Sequence, residues 1–173
     1  MTEELQFLNV AVLTVSDTRT PETDTSGQFL TKALSEAGHQ VVAHDIVIDD
    51  IYLLRAKVSA WIADPSIEAI ITTGGTGFGG RDSTPEALAP LFDKHIEGFG
   101  ELFRHLSIAD IGTSTVQSRA LAGMANNTVI FCVPGSTGAC RLAWNGILRD
   151  QLDSRHKPCN FVGVISKRRE KNL

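Results

Sequence analysis

One segment constrains the fold of this chain more than any other. An apolar run, Ile67-Glu68-Ala69-Ile70-Ile71, leads into Thr72-Thr73 and then into five glycines within seven positions, residues 74–80. Arg81-Asp82-Ser83 follow, and Thr84-Pro85 open the next polar–apolar pattern. Glycine accepts positive φ and lets a backbone approach a ligand closely. Thr84 is a preferred N-cap residue and Pro85 suits the first helical position. The segment therefore reads as strand, glycine loop, helix N-terminus, which directs free N–H groups at an anion. Arg81 adds a phosphate counter-charge, and Asp82 adds a hard oxygen ligand of the kind magnesium prefers.

Two better-known glycine motifs do not fit. Gly75-x-Gly77-x-x-Gly80 matches the dinucleotide fingerprint formally. That fingerprint runs straight into a helix and needs an acidic residue about 20 positions on, at the end of a second strand. Here Arg81 to Thr84 intervene, and Glu101 falls in a helical pattern. The ATPase phosphate loop requires Gly-Lys-Ser/Thr after its glycines, and none follows.

The rest of the chain alternates strand and helix. Residues 7–16 read as a buried strand. Thr25 with Gln28 is a capping-box signal for a helix carrying Phe29, Leu30, Ala33, Leu34 and Ala37, stopped by Gly38. Residues 39–48 read as a second strand, and Asp49-Asp50 lead into a helix with Leu54, Val58, Trp61 and Ile62 at helical spacing. Residues 67–73 form the third strand; 85–92 and 99–106 are two further helices. Residues 120–125 and 128–133 flank Asn126-Asn127, a hairpin signal preferred over a continued helix through Leu121. Ser136 can cap a last helix with Cys140, Trp144, Ile147, Leu148 and Leu152 on one face. This rhythm predicts a single α/β domain: a three-layer α/β/α fold with a mostly parallel sheet and one antiparallel hairpin.

Charge and cysteine usage narrow the function classes. A net charge of −4 and a pI near 5.7 argue against nucleic-acid binding. The one basic cluster, Lys167-Arg168-Arg169-Glu170-Lys171, reads as a frayed tail over 163–173. Cys132, Cys140 and Cys159 show no metal or disulfide spacing and read as buried, reduced thiols. No signal-peptide pattern or membrane span is visible, so a cytoplasmic location is expected.

In an open parallel sheet, ligands bind at the carboxyl ends of the strands. Four loops leave strand ends here, at 16–25, 49–50, 74–83 and 134–137, and all carry small polar or acidic residues. Asp82 reads either as a turn or salt-bridge residue or as a magnesium ligand on nucleotide phosphates. Asp49 could cap the following helix, but Asp50 is better placed for that role. Ser16, Asp17, Asp24, Ser26 and Gly27 lie on the first strand-to-helix connection, where capping and anion binding explain them equally well. Gly135 and Ser136 precede the last helix. Arg119, beside Ser118, either reaches a phosphate or forms a surface ion pair. The five histidines show no ligand or base spacing.

The order Gly74-Gly75-Thr76-Gly77, a short stretch, then Arg81-Asp82-Ser83-Thr84-Pro85-Glu86-Ala87 resembles the signature of the molybdenum-cofactor biosynthesis family that includes MoaB, MogA and the G domain of gephyrin. The likeness continues at Leu13-Thr14-Val15-Ser16-Asp17, Gly98-Phe99-Gly100-Glu101, Gln117-Ser118-Arg119 and Val133-Pro134-Gly135. Ile111-Gly112-Thr113-Ser114-Thr115 is similar to the MoaB branch. Ile48 stands where the family commonly has proline, and Ser136-Thr137 departs from the family's Pro-Gly-Asn-Pro.

The resemblance implies the same fold and Mg²⁺-dependent adenylyl transfer from ATP to molybdopterin. Asp82 and Asp49 would be the catalytic, metal-holding pair. Gly74, Gly75, Thr76, Gly77 and Arg81 would bind the nucleotide. Ser16, Asp17, Ser26, Gly27, Ser118, Arg119, Gly135 and Ser136 would line the pterin pocket. The alternative left open is a non-catalytic molybdopterin-binding or assembly protein of the same fold. The resemblance also implies a homo-oligomer, a trimer or hexamer, with other cofactor-biosynthesis proteins as further partners. Phe92, Ile96, Phe99, Leu102, Phe103 and Leu106 supply more apolar surface than one helix face needs.

Overall fold

A computed structural model of the chain describes residues 4–165. Six strands, β1 (Asn9–Val15), β2 (Gln40–Val47), β3 (Ala69–Thr73), β4 (Lys94–His95), β5 (Leu121–Ala125) and β6 (Thr128–Val133), form one sheet in the order β2-β1-β3-β6-β5-β4. β2, β1, β3 and β6 run parallel. The expected hairpin joins β5 to β6, with Asn126 and Asn127 both at positive φ (45° and 71°). Asparagine tolerates that region better than other side chains, so the two residues close the tight turn.

Side chains alternate across the central strands because successive Cβ atoms point to opposite faces. Val10, Val12, Ala69, Ile71, Val129, Phe131 and Val133 join one core; Ala11, Leu13, Val15, Ile70, Ile130 and Cys132 join the other. Helices α1 (Thr25–Glu36), α4 (Glu97–Ile111) and α5 (Thr137–Ala143) cover the first face. Helices α2 (Ile51–Ala63) and α3 (Thr84–Leu88) cover the second. This is the three-layer α/β/α fold that the alternation predicts. Each fully buried aliphatic side chain contributes about 1.5–3 kcal/mol, so the sheet is buried on both sides at the strands that carry the site loops.

Several local expectations are corrected. Asp24, not Thr25, caps α1: its carboxylate accepts from the Gly27 backbone amide at 2.9 Å, and the Gln28 side-chain amide Nε2 instead donates to the Pro21 carbonyl. Ser83, not Thr84, occupies the N-cap of α3, because the Thr84 hydroxyl is turned inward to donate to the Gly74 carbonyl at 2.8 Å. The helix read over 85–92 ends at Leu88 and passes into a 3-10 turn, Ala89–Leu91, where Pro90 lacks an amide hydrogen. α4 is longer than 99–106 and stops at Gly112, which sits at φ +56°.

The two-residue strand β4 was not legible. It pairs antiparallel with Gly123 and Met124 of β5, adding a second antiparallel ladder beside the hairpin. The last helix is capped by Ser136 as expected and buries Cys140, Trp144, Ile147, Leu148 and Leu152. It contains a π-helical turn, Trp144–Leu148, before α6 (Arg149–Gln151).

Cys159 is exposed, unlike the buried Cys132 and Cys140. Of the tail over 163–173, residues 163–165 belong to a helical turn with Ile165 buried, so they are not frayed. The basic cluster at 167–171 lies outside the described residues. Among the described residues no helix is long and apolar enough to cross a membrane.

Candidate active site

β1 lies between β2 and β3, and the chain leaves β1 toward β2 but β3 toward the opposite edge. The loops after β1 and β3 therefore diverge, opening the crevice where such sheets hold ligands. A cleft of about 620 Å³ occupies that position. Its floor is the glycine loop. Gly74 and Gly75 have φ of +106° and +69°. A Cβ on Gly74 would fall 2.2 Å from the Val15 carbonyl oxygen, and one on Gly75 2.3 Å from the Thr84 hydroxyl. Both positions exclude any side chain, and the loop backbone is held by Gly74 N–H to Val133 O and Thr84 N–H to Gly75 O.

The opposite wall comes from the loops after β6 and β1. A Cβ on Gly135 would lie 3.2 Å from the Gly74 Cα, so these two backbones nearly touch. The Ser26 hydroxyl donates to the Gly135 carbonyl at 2.8 Å, tying the α1 start to the α5 start. Ser16, Ser26, Ser118, Gly135 and Ser136 all line the cleft, as do Gly74, Gly75, Thr76 and Gly77. Asp82 lines it too, with Oδ2 accepting from the Gly79 amide at 2.8 Å. Gly77 must be small for the same reason: a Cβ there would stand 2.7 Å from that oxygen.

Asp17, Gly27, Asp49, Arg81 and Arg119 stand behind the lining. Asp49 ends the β2 connection with Oδ1 accepting from the Ser83 amide at 3.1 Å and, at closer range, from the Ser83 hydroxyl. Its other oxygen faces Gly75. Burial pushes the Asp49 carboxyl above its ordinary value; the Ser83 bonds oppose that, and the negative fields of Asp82 and Asp17 add to it. Asp17 is held low, first by the Asp49 amide and then by Arg81. Arg81 pairs with Asp17 at 2.6 Å and donates to the Asp49 carbonyl at 3.3 Å. It pins three loops together and does not face the cleft.

Arg119 has a similar bracing role. It donates to the carbonyls of Thr76 and Gly77, pairs with Glu86, and stacks its guanidinium 4.9 Å from the Phe78 ring centroid. The planar fork suits several acceptors at once. Gly27 is small because Asp24, Thr14 and His44 converge on it, as described below.

Sequence reasoning named Asp24 but missed the polar cluster it forms with Thr14 and His44 beneath the β1 loop. Asp24, only 1% exposed, accepts from the Thr14 hydroxyl at 2.6 Å and lies 2.9 Å from His44 Nε2. It also missed Ser107 and Asp110 of α4 and Ser114 and Gln117 of the turn Gly112–Gln117, all on the far wall. A signal existed: Phe103, Ser107, Asp110 and Ile111 share one helical face, which turns from apolar to polar along its length.

Residues 11–154 match the model of a family described as "Probable molybdopterin binding domain", a span that includes every candidate residue from Thr14 to Ser136. The chain belongs to the molybdopterin-binding domain family. Within it, the chain is 57% identical over 158 residues to the molybdenum cofactor biosynthesis protein B of Escherichia coli (strain K12), covering 91% of this chain and 93% of that protein. A crystal structure of a molybdenum cofactor biosynthesis protein B superposes with a TM-score of 0.84 at 40% identity, over 96% of this chain and 98% of that one. The tungsten cofactor synthesizing protein MoaB from Pyrococcus furiosus superposes with a TM-score of 0.73 at 35% identity, over 82% of this chain and 91% of that one. The mixed sheet and its helical layers are thus those of the molybdopterin-binding domain family.

Proposed function

We propose that this chain acts in molybdenum cofactor biosynthesis as an Mg²⁺-dependent adenylyltransferase. An oxygen of molybdopterin's terminal phosphate attacks the α-phosphorus of ATP. The bond from that phosphorus to the bridging oxygen breaks, and pyrophosphate leaves with adenylyl-molybdopterin as the other product. The observation that carries this reading is the glycine loop at the switch point, bare at Gly74 and Gly75, with Asp82 inside the cleft and Asp49 behind it.

Phosphoryl transfer needs positioning and charge neutralisation more than it needs a covalent nucleophile. The backbone of residues 74–77 would hold nucleotide phosphates. Asp82 and Asp49 would hold magnesium, which supplies neutralisation of the phosphate charges when bound. Among the described residues no three His, Cys, Asp or Glu side chains gather to hold a metal. Magnesium takes one or two carboxylates and completes its shell with substrate phosphates and waters, so a pair fits. The Asp82 charge that helps to raise Asp49 is what a dication held by these two carboxylates would offset. Neither buried thiol competes as a nucleophile: burial pushes Cys132 up to about 12 and raises Cys140 as well.

Purified protein incubated with molybdopterin, ATP and Mg²⁺ should release pyrophosphate and form the adenylated pterin in equal amounts. Molybdopterin binding without either product would favour the non-catalytic binding or assembly role instead.

A further inference from the structure

The cleft is poor in positive charge for a site that would hold two phosphorylated substrates. Asp24, Asp82 and Asp110 contribute carboxylates, and among the described lining residues Arg19 is the only cation. The two arginines singled out from the sequence are committed elsewhere, Arg81 to Asp17 and Arg119 to Glu86 and the glycine-loop carbonyls. Arg19 has no carboxylate partner among the described residues. Among the described residues its one side-chain hydrogen bond runs from Nη1 to the Thr23 carbonyl at 2.8 Å. A guanidinium carries five N–H donors, so most of the fork remains available.

The loop that presents Arg19 is well braced. The Ser16 hydroxyl accepts from the amides of Thr18 and Arg19 at 3.2 and 3.0 Å. The Thr20 carbonyl accepts from the amides of Thr23 and Asp24 at 3.0 and 2.9 Å. Arg19 also stands at a junction. A second cavity of about 570 Å³, bordered by Thr20, Gln28, His44 and Ile48, adjoins the outer side of this loop, and Ser16 and Arg19 line both spaces.

We propose that Arg19 is a substrate-binding residue that holds a phosphate group at the junction of the two cavities. The inference rests on the adenylyl-transfer reading of the site. The phosphate belongs to the nucleotide or to the pterin, and separate titrations tell them apart. A guanidinium fork suits either, because it donates two parallel hydrogen bonds to phosphate oxygens.

The test is calorimetric titration of the wild type, Arg19→Ala, Arg19→Met and Arg19→Lys with ATP and Mg²⁺ in one arm and molybdopterin in the other. Lys32→Ala, which removes an exposed charge on the outer face of α1, controls for net charge. A charged hydrogen bond lost to a phosphate should weaken at least one substrate by about fivefold or more in both the alanine and methionine variants, with lysine intermediate and Lys32→Ala unchanged. The arm that weakens names the substrate. Smaller losses in both arms, or a loss in alanine but not in methionine, would overturn the assignment, since the stem's packing would then be responsible. A wild type that binds neither substrate would overturn the adenylyl-transfer reading itself, and this inference with it.

Discussion

Gly27→Ala separates local from tertiary reasoning. Gly27 lies in the first turn of α1, and alanine is favoured over glycine in a helix by about 1 kcal/mol. Helix propensity alone therefore predicts stabilisation. The tertiary environment reverses the sign. A Cβ there would stand 2.2 Å from Asp24 Oδ2, 2.4 Å from His44 Nε2 and 2.6 Å from the Thr14 hydroxyl. Asp24 is buried and uses these neighbours, with the Gly27 amide, as its hydrogen-bond partners. Overpacking a filled site costs about 1–3 kcal/mol, and pushing a buried carboxylate off its donors costs about 1–3 kcal/mol more. After the propensity gain, a net loss of roughly 3 kcal/mol remains, which for a domain of this size lowers the melting temperature by about 6–12 °C. Thermal unfolding at fixed protein concentration reads the effect. Gly138→Ala on α5, where a Cβ meets nothing within 4 Å, is the control and should be neutral or stabilising. A Gly27→Ala melting temperature equal to or above wild type would refute the convergence of Asp24, His44 and Thr14 on this position.

Further outcomes are expected. Asp82→Asn should abolish adenylyl transfer with normal melting, since asparagine can still accept from Gly79 but carries no charge for magnesium; turnover within a few-fold of wild type would remove Asp82 from that role. The same variant should lower the titration midpoint of Asp49, whose carboxyl is raised partly by the Asp82 charge. Because the folded-state value of Asp49 is raised, its contribution to stability is full below the unfolded value and lost as pH rises through the folded one. Asp49→Asn should flatten that acid-side slope, and an unchanged slope would contradict the burial argument. Gly75→Val should weaken ATP binding severely, because the position combines φ of +69° with no space for a side chain; unchanged affinity in a variant that still folds would return the loop to a structural role. The apolar surplus read over 92–106 is largely spent in the core, where Phe92, Phe99 and Phe103 are buried. The homo-oligomer implied by the family should appear as a multiple of three in sedimentation equilibrium, with Leu102, Ile108, Ile111 and Val116 as the exposed apolar surface to cover; a monomer at micromolar concentration would overturn it.

The glycine loop, the Asn126-Asn127 hairpin and the caps at Asp50 and Ser136 were legible because each depends on a short stretch of chain. Positive φ, an Asx cap and a strand's alternation are local constraints, and the residues that satisfy them leave a mark in the sequence. The same holds for the placement of Asp82 and the backbone of 74–77 at a strand's carboxyl end. What the tertiary structure decided was the direction and partner of each side chain. Arg81 read as a phosphate counter-charge, and Arg119 as either a phosphate contact or a surface ion pair; long-range pairing with Asp17 and Glu86 makes both of them braces. Arg19 was unmarked by any motif, and becomes the cleft's one lining cation among the described residues because the other two are spent. The two-residue β4 exists only because β5 offers it a ladder. Asp24, Thr14 and His44 come from three separate elements, and their convergence on Gly27 follows from the order of the strands. Backbone preferences act over a few residues and can be read along the chain, whereas ion pairing, burial and steric exclusion act across space and are set when the layers pack.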